Sequence, residues 1–119
     1  MNLKYFKLSE FDSKDLPGSG NNMDEEFLEI LDELRGRIKE PVIINSGYRT
    51  KSHNKKVGGS PNSSHLKGLA VDIHIPNNNY RNKLIREALY LGINRIGIYK
   101  SFVHLDVDSS KVQNVMWVL

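Results

Sequence analysis

The hydrophobic positions of the chain follow a helical period in two segments and a strand-like pattern in several others. Residues 23–39 and 80–91 carry apolar side chains three and four positions apart, which predicts two amphipathic helices. We expect Asn22 to cap the first helix, with Glu25 as its capping-box partner, and an asparagine of residues 77–79 to cap the second. The predicted buried face of the first helix consists of Phe27, Leu31, Leu34 and Ile38.

Short apolar or alternating runs between and after these helices predict strands. The predicted strands cover residues 42–44, 70–75, 95–99, 102–107 and 112–119. A short helical segment is expected over residues 51–57, whereas residues 1–21 are predicted to be irregular. Because short connections join the last three strands, we predict that they form an antiparallel set. The element order therefore indicates an α+β domain with helices packed on one small, mainly antiparallel sheet.

Length and composition are typical of one soluble domain spanning residues 1–119, and we expect a monomer. Hydrophobic residues make up 39% and charged residues 26% of the chain. No apolar run approaches the roughly 20 residues of a membrane helix, so no membrane contact is predicted. The first residues lack the apolar stretch of a signal peptide, which predicts synthesis in the cytoplasm. The chain contains no cysteine, so any transition metal must be bound by His, Asp or Glu.

The net charge of +3 and the pI of about 9.2 indicate attraction to polyanions. Such partners include nucleic acid, wall teichoic acids and the carboxylates of peptidoglycan, and a role in solubility alone also accounts for the charge. A nucleic-acid-binding domain would leave the histidine and aspartate pattern of the chain unexplained. We therefore predict no nucleic-acid partner.

Two segments combine histidine with aspartate in a way that predicts a metal site. In the first, His65 lies in a loop and Asp72 in an otherwise apolar strand, where an unpaired carboxylate would be costly to bury. In the second, strand alternation places His104, Asp106 and Asp108 on one face. Two histidines and one carboxylate form a common catalytic zinc set. Catalysis also needs a carboxylate to move the proton of the attacking water, and Asp106 is the nearest candidate.

These segments resemble the zinc D-alanyl-D-alanine carboxypeptidase family. That family shares its fold with the hedgehog signalling domain and includes phage endolysins that cut peptidoglycan stem peptides. Its zinc motif, Ser-x-His-x-x-Gly-x-Ala-x-Asp, is matched here by Ser63, His65, Gly68, Ala70 and Asp72. The later strand histidine of the family corresponds to His104, and its Ser-Gly-Tyr-Arg segment corresponds to residues 46–49.

The resemblance implies one zinc ion and a peptide substrate with a carboxylate. The implied zinc ligands are His65, Asp72 and His104. Arg49 is expected to bind the substrate carboxylate, because a guanidinium can hold a carboxylate through two hydrogen bonds. Tyr48 and Ser63, which belong to the same motifs, are predicted to contact the substrate. Trp117, in the last apolar strand, is predicted to belong to the core instead.

The chain departs from the family pattern at the general base. Several branches of the family place an Asp or Glu three residues before the last zinc histidine, where this chain has Ser101. Asp106 is therefore the predicted base, and orientation of a zinc ligand is its alternative role. His74, which shares a strand face with Asp72, is the alternative zinc ligand.

The sequence thus predicts a zinc peptidase that acts on peptidoglycan peptides. It would either trim a terminal D-Ala or cut within the stem peptide. The alternative is a zinc-containing domain of the same fold that binds cell wall or protein without catalysis. The small size, the absent signal peptide and the lack of a separate wall-binding domain predict a phage-encoded lysis protein that reaches the wall after release from the cytoplasm.

Overall fold

A computed structural model describes all residues from 1 to 119 and contains three α-helices and one five-stranded sheet. The helices are α1 (Glu25–Ile38), α2 (Lys51–Lys56) and α3 (Asn78–Tyr90). The strands are β1 (Ile44–Ser46), β2 (Ala70–His74), β3 (Arg95–Ile98), β4 (Phe102–Asp106) and β5 (Val115–Val118). Short 3-10 helices cover Leu8–Phe11, Ser19–Asn22 and Ser64–Lys67. The predicted α+β class is confirmed. None of the helices is long and apolar enough to cross a membrane.

Helix α1 has the predicted buried face but a different N-cap. All four predicted core positions are buried, and Leu28 joins them. The cap is Asp24, whose carboxylate accepts a hydrogen bond of 2.9 Å from the backbone N–H of Phe27. The prediction of Asn22 was wrong, because that side chain donates back to the carbonyl of Ser19 within the preceding 3-10 helix. A carboxylate at the cap also interacts favourably with the helix dipole.

Strand β1 begins later than its apolar content indicates. Val42 is buried, but Ile43 is 57% exposed and lies outside the strand. Pairing with β2 instead begins at Ile44 and continues to Ser46 through an irregularity in register. Hydrogen bonding to the neighbouring strand therefore determines the bounds of β1. At α3, by contrast, Asn77 is the N-cap and accepts from the backbone of Tyr80, as predicted.

The sheet has the strand order β1-β2-β4-β3-β5, and its last strand contradicts the predicted antiparallel set. Strand β5 pairs with β3 in parallel, starting where Val115 lies opposite Arg95. Asp106, the last residue of β4, also lies opposite Arg95. The chain therefore leaves β4 beside the start of β3. Residues 107–114 cross that end of the sheet, so β5 runs in the same direction as β3.

Strand alternation divides the sheet into an apolar and a polar face. The apolar face packs with α1 and α3 into one hydrophobic core. The sheet residues fully buried in this core are Val71, Ile73, Ile96, Val103 and Leu105. The polar face carries Asp72, His104 and Asp106 from the same two central strands. The helices thus stabilise one side of the sheet and leave its other side available for a site.

Candidate metal centre

His65 reaches the polar face of the sheet from the 3-10 helix Ser64–Lys67. Ser63 caps this helix, and its hydroxyl accepts a hydrogen bond of 3.2 Å from the backbone N–H of His65. Gly68 ends it with a left-handed φ of 70°, which L side chains rarely adopt. A Cβ at Gly68 would also lie 2.2 Å from the carbonyl oxygen of Asn22. The serine and glycine of the motif therefore shape the loop that positions His65.

The register of the sheet positions the other two predicted ligands. Asp72 of β2 lies directly opposite His104 of β4. The same row continues across the sheet, because His104 lies opposite Gly97 and Gly97 opposite Trp117. On the other side, Ser46 lies opposite Asp72. Side chains in one such row project from the same face, so His104 has Asp72 on one side and a slot above Gly97 on the other.

The three predicted ligands converge on one point. The Nε2 atom of His65 lies 3.3 Å from Oδ1 of Asp72, and Nδ1 of His104 lies 3.1 Å from the same oxygen. One nitrogen or oxygen atom of each residue lies within 4.8 Å of the others. Atoms that share an ion at about 2 Å from each ligand have separations of this size. His74, the alternative ligand, does not belong to this group.

In His65 and His104, the ring nitrogen that points away from the centre also has a hydrogen-bond partner. Nδ1 of His65 lies 2.8 Å from the carbonyl oxygen of Gly47, which can only accept a hydrogen bond. Nε2 of His104 lies 2.7 Å from Oδ2 of Asp106, a carboxylate oxygen. With a metal bound, these contacts favour the tautomers whose other ring nitrogen presents a lone pair to the ion beside Asp72. Two imidazole lone pairs and one carboxylate suit zinc, so the residues present fit the metal.

The electrostatics of the centre favour positive charge between the three side chains. Burial raises the pKa of Asp72, but hydrogen bonds with His104 and His65 outweigh it and hold this pKa well below its usual range. Burial lowers the pKa of His104, but the carboxylates of Asp106 and Asp72 more than compensate and raise it. Asp72 is therefore ionised at neutral pH. The same arrangement that stabilises a proton on the imidazole also favours a cation at this position.

Asp106 lies on the far side of the His104 ring from Asp72 and is 1% exposed. Its Oδ1 accepts hydrogen bonds from Nε of Arg95, at 2.7 Å, and from the backbone N–H of Asp108, at 3.1 Å. Its Oδ2 contacts His104, so both oxygens are engaged. This geometry supports the alternative role of orienting a ligand, whereas the general-base role stays a prediction. Sequence reasoning missed Arg95, because its position opposite Asp106 depends on strand pairing.

A family model described as peptidase M15 matches residues 4–106, which is most of the chain and includes all three residues of the metal centre. The chain belongs to the peptidase M15 family. The resemblance predicted from the sequence is thereby confirmed. Among curated proteins, none matches this M15 peptidase. Residues 107–119 lie outside the family match.

A cavity of about 370 Å³ is lined by the three residues of the candidate metal centre of this M15 peptidase. Arg49 and Ser63, both predicted to contact substrate, line it. Tyr48 does not line this cavity and packs against the hydrophobic core, so its substrate role stays a prediction without support from this placement. Other lining residues are Ser60, Tyr99, Phe102, Lys111 and Trp117.

Arg49 bridges the loop after β1 and the metal centre. Its Nη2 lies 3.1 Å from Oδ2 of Asp72, its Nε donates to the hydroxyl of Ser46, and its Nη1 donates to the side chain of Asn54. One N–H on each terminal nitrogen is left for another acceptor. Arg49 therefore holds the carboxylate of Asp72 in position and still has donors for a substrate.

Trp117 is half-buried and lines the cavity, so its assignment to the core was wrong. A Cβ at Gly97 would lie 2.6 Å from the indole, which occupies the space that this glycine leaves. The indole ring centroid lies 5.5 Å from that of His104, and the indole N–H donates to the hydroxyl of Tyr99 at 3.1 Å. Pairing of β5 with β3 turns Trp117 to the polar face, and the apolar run around it carries no signal of this orientation.

Proposed function

We propose that this M15 peptidase is zinc-dependent and hydrolyses peptide bonds in bacterial cell-wall peptidoglycan. The convergence of His65, Asp72 and His104 at a cavity, in a chain of a peptidase family, carries the proposal. Bound at these ligands, zinc supplies the Lewis acidity that activates water and polarises a peptide carbonyl. Peptidoglycan peptides are the proposed partner, and neither nucleic acid nor a membrane is required.

The residues around the proposed zinc ligands hold them in orientation. The backbone carbonyl of Gly47 keeps Nδ1 of His65 as a donor, and Asp106 does the same for Nε2 of His104. Arg95 in turn holds Asp106 through an ion pair of 2.7 Å. Such partners preserve the metal-facing lone pairs and limit rotation of the rings.

Arg49, which lines the cavity, is the residue proposed to bind the substrate. Arg49 has two N–H donors left after its contacts within the protein, and these would bind a substrate carboxylate. Binding of a terminal carboxylate would favour removal of a terminal D-Ala. Binding of an internal carboxylate would favour cleavage within the stem peptide.

Few carboxylates in the cavity are available to transfer the proton of the attacking water. Asp72 and Asp106 are the carboxylates that line the cavity, and Asp72 is assigned to zinc. Asp106 is therefore the carboxylate left for proton transfer, although both its oxygens already have partners. This feature keeps a second candidate function open, which is a zinc-containing domain that binds cell wall without cutting it.

Digestion of purified peptidoglycan by zinc-loaded and chelator-treated protein tests the proposal. We expect hydrolysis that the chelator removes and added zinc restores. Mass spectrometry of the products then separates free D-Ala, released by trimming, from larger muropeptides, released by internal cutting. The His74→Ala variant is the matched control, because His74 lies on the same strand as Asp72 but outside the metal group.

Two results would contradict the proposal. Hydrolysis that is insensitive to the chelator would remove the role of zinc. One zinc per chain without any hydrolysis would favour the non-catalytic domain.

A further inference from the structure

The part of the chain beyond the family match builds one wall of the cavity. The match ends at Asp106, and the cavity is also lined by Lys111 and Trp117. Lys111 belongs to the segment that crosses the end of the sheet, and Trp117 to β5. This wall therefore lies outside the part of the chain that the family match covers.

The crossing segment is held in place by contacts with the body of the domain. The guanidinium of Arg95 in the sheet donates to the carbonyl of Val112, and within the segment Gln113 donates to the carbonyls of Asp108 and Lys111. Asp108 itself is 1% exposed and accepts hydrogen bonds from Ser64, Lys67 and Ser110. The position of Lys111 beside the cavity thus results from an ordered turn.

The three cations that line the cavity differ in how far their charges are neutralised. Arg49 is paired with Asp72 at 3.1 Å, and Arg95 is paired with Asp106 at 2.7 Å. Lys111 donates to the hydroxyl of Ser64 at 2.8 Å, and Asp108 is 3.8 Å away, beyond hydrogen-bond distance.

Asp108 already has a closer cation in Lys67, at 3.2 Å. The ammonium group of Lys111 has three N–H donors. One is used by Ser64, so two are available for another acceptor. Its side chain is 23% exposed, which allows contact with a ligand in the cavity while limiting the screening by water.

We propose that Lys111 is a specificity-determining residue that binds a free carboxylate of the stem peptide and discriminates against the corresponding carboxamide. This inference rests on the proposed function, since it names the substrate chemistry that the same cavity selects. A carboxylate gains a charge-assisted hydrogen bond from the ammonium group. A carboxamide lacks the charge, and its NH₂ group presents donors to another donor. Trp117 forms the other part of this wall.

The test compares synthetic stem peptides in which each free carboxylate is converted, one at a time, to a carboxamide. For the wild-type protein loaded with zinc, we expect conversion of the carboxylate bound by Lys111 to lower kcat/KM about tenfold, mainly through KM, apart from any penalty at the carboxylate bound by Arg49. In Lys111→Met this penalty should disappear, and in Lys111→Arg it should persist because the charge is kept. Lys67→Met is the matched control, since Lys67 also contacts Asp108 but does not line the cavity.

Binding to the metal-free protein gives a second readout that does not depend on catalysis. Trp117 is the single tryptophan of the chain, so its fluorescence reports on this cavity. Titration with the same peptides should show about tenfold weaker binding of the carboxylate form to Lys111→Met than to the wild-type protein. The carboxamide form should bind both proteins equally.

The two readouts separate failure of the inference from failure of the proposed function. In one outcome, the wild-type protein hydrolyses the peptides while Lys111→Met loses none of the preference for a carboxylate over a carboxamide. That result would overturn the inference and leave the function intact. Absence of hydrolysis, together with carboxylate-selective binding that Lys111→Met removes, would overturn the function and leave the inference intact. Equal binding of both peptide forms by wild-type and Lys111→Met proteins would overturn the inference in either case.

Discussion

The two faces of the central sheet are built from the same strands but are stabilised by different interactions. In β4, Val103 and Leu105 point into the core, whereas His104 and Asp106 point to the cavity. The core face removes apolar surface from water, which contributes about 25 cal/mol per Å². The cavity face buries charged groups, which is unfavourable unless each has a partner. The core face therefore provides the stability of the fold. The cavity face depends on that stability, because its polar groups are held close together.

Loss of a proposed zinc ligand should have the largest effect of any single change. In His104→Ala, we expect chelator-sensitive hydrolysis of peptidoglycan to fall to background, because one of three convergent ligand atoms is lost. Metal analysis should show much less than one zinc per chain. The free energy of unfolding without zinc should change less than in the neighbouring Leu105→Ala. Full hydrolysis by His104→Ala would exclude the proposed centre.

The adjacent residue on the other face should show the opposite behaviour. Leu105 is fully buried in the core, so Leu105→Ala should lower the free energy of unfolding by about 2–5 kcal/mol. Urea denaturation followed by circular dichroism measures this loss. At a temperature where the variant stays folded, zinc content should equal that of the wild-type protein. A loss of zinc in folded Leu105→Ala would show that the two faces are not separable.

Asp106→Asn distinguishes orientation of His104 from general-base catalysis. If Asp106 orients the ligand, zinc affinity should fall about 10- to 100-fold, because outer partners of metal ligands have effects of this size. If Asp106 is the base, zinc affinity should be kept and most hydrolysis lost. Competition with a metal indicator measures the affinity, and assays at saturating zinc measure the hydrolysis. Near wild-type turnover of the zinc-saturated variant would exclude the base role.

The smallest effect concerns the turn that carries Lys111. Burial raises the pKa of Asp108, but hydrogen bonds from Ser110 and Ser64 outweigh it and hold the pKa well below its usual range. A lowered pKa in the folded state means that the ionised form stabilises the fold above the unfolded pKa of about 3.9. This stability is lost as the pH falls below that value.

Asp108→Asn should therefore lower the free energy of unfolding at pH 7 by on the order of 2 kcal/mol and flatten its decline below about pH 4. Urea denaturation between pH 7 and pH 3 checks both effects. Glu29 of α1 is the control, because it is exposed and has no hydrogen-bond or ion-pair partner, so Glu29→Gln should change the pH profile less. If Asp108→Asn leaves the dependence of the unfolding free energy on pH unchanged, ionised Asp108 does not stabilise the fold.

Local patterns in the sequence were sufficient to predict the helices and the core face, whereas the family resemblance supplied the grouping of His65, Asp72 and His104. A helical period depends on neighbours three and four positions away, so it is visible in one segment. The N-cap of α3 was also predicted from local sequence, because asparagines 77–79 directly precede the helical pattern. The cap of α1 was displaced to Asp24 because Asn22 found a partner in a 3-10 helix that the sequence pattern does not show.

Contacts between distant segments were decided by the tertiary structure. Parallel pairing of β5 with β3 turned Trp117 from a predicted core residue into a wall of the cavity. The same pairing order brought Arg95 to Asp106 and Lys111 to Ser64. Strand order and direction arise from hydrogen bonds between segments far apart in the chain, and a period of two is the same for either direction. The sequence by itself therefore indicated which residues form the candidate metal centre, whereas the paired sheet decided what surrounds them.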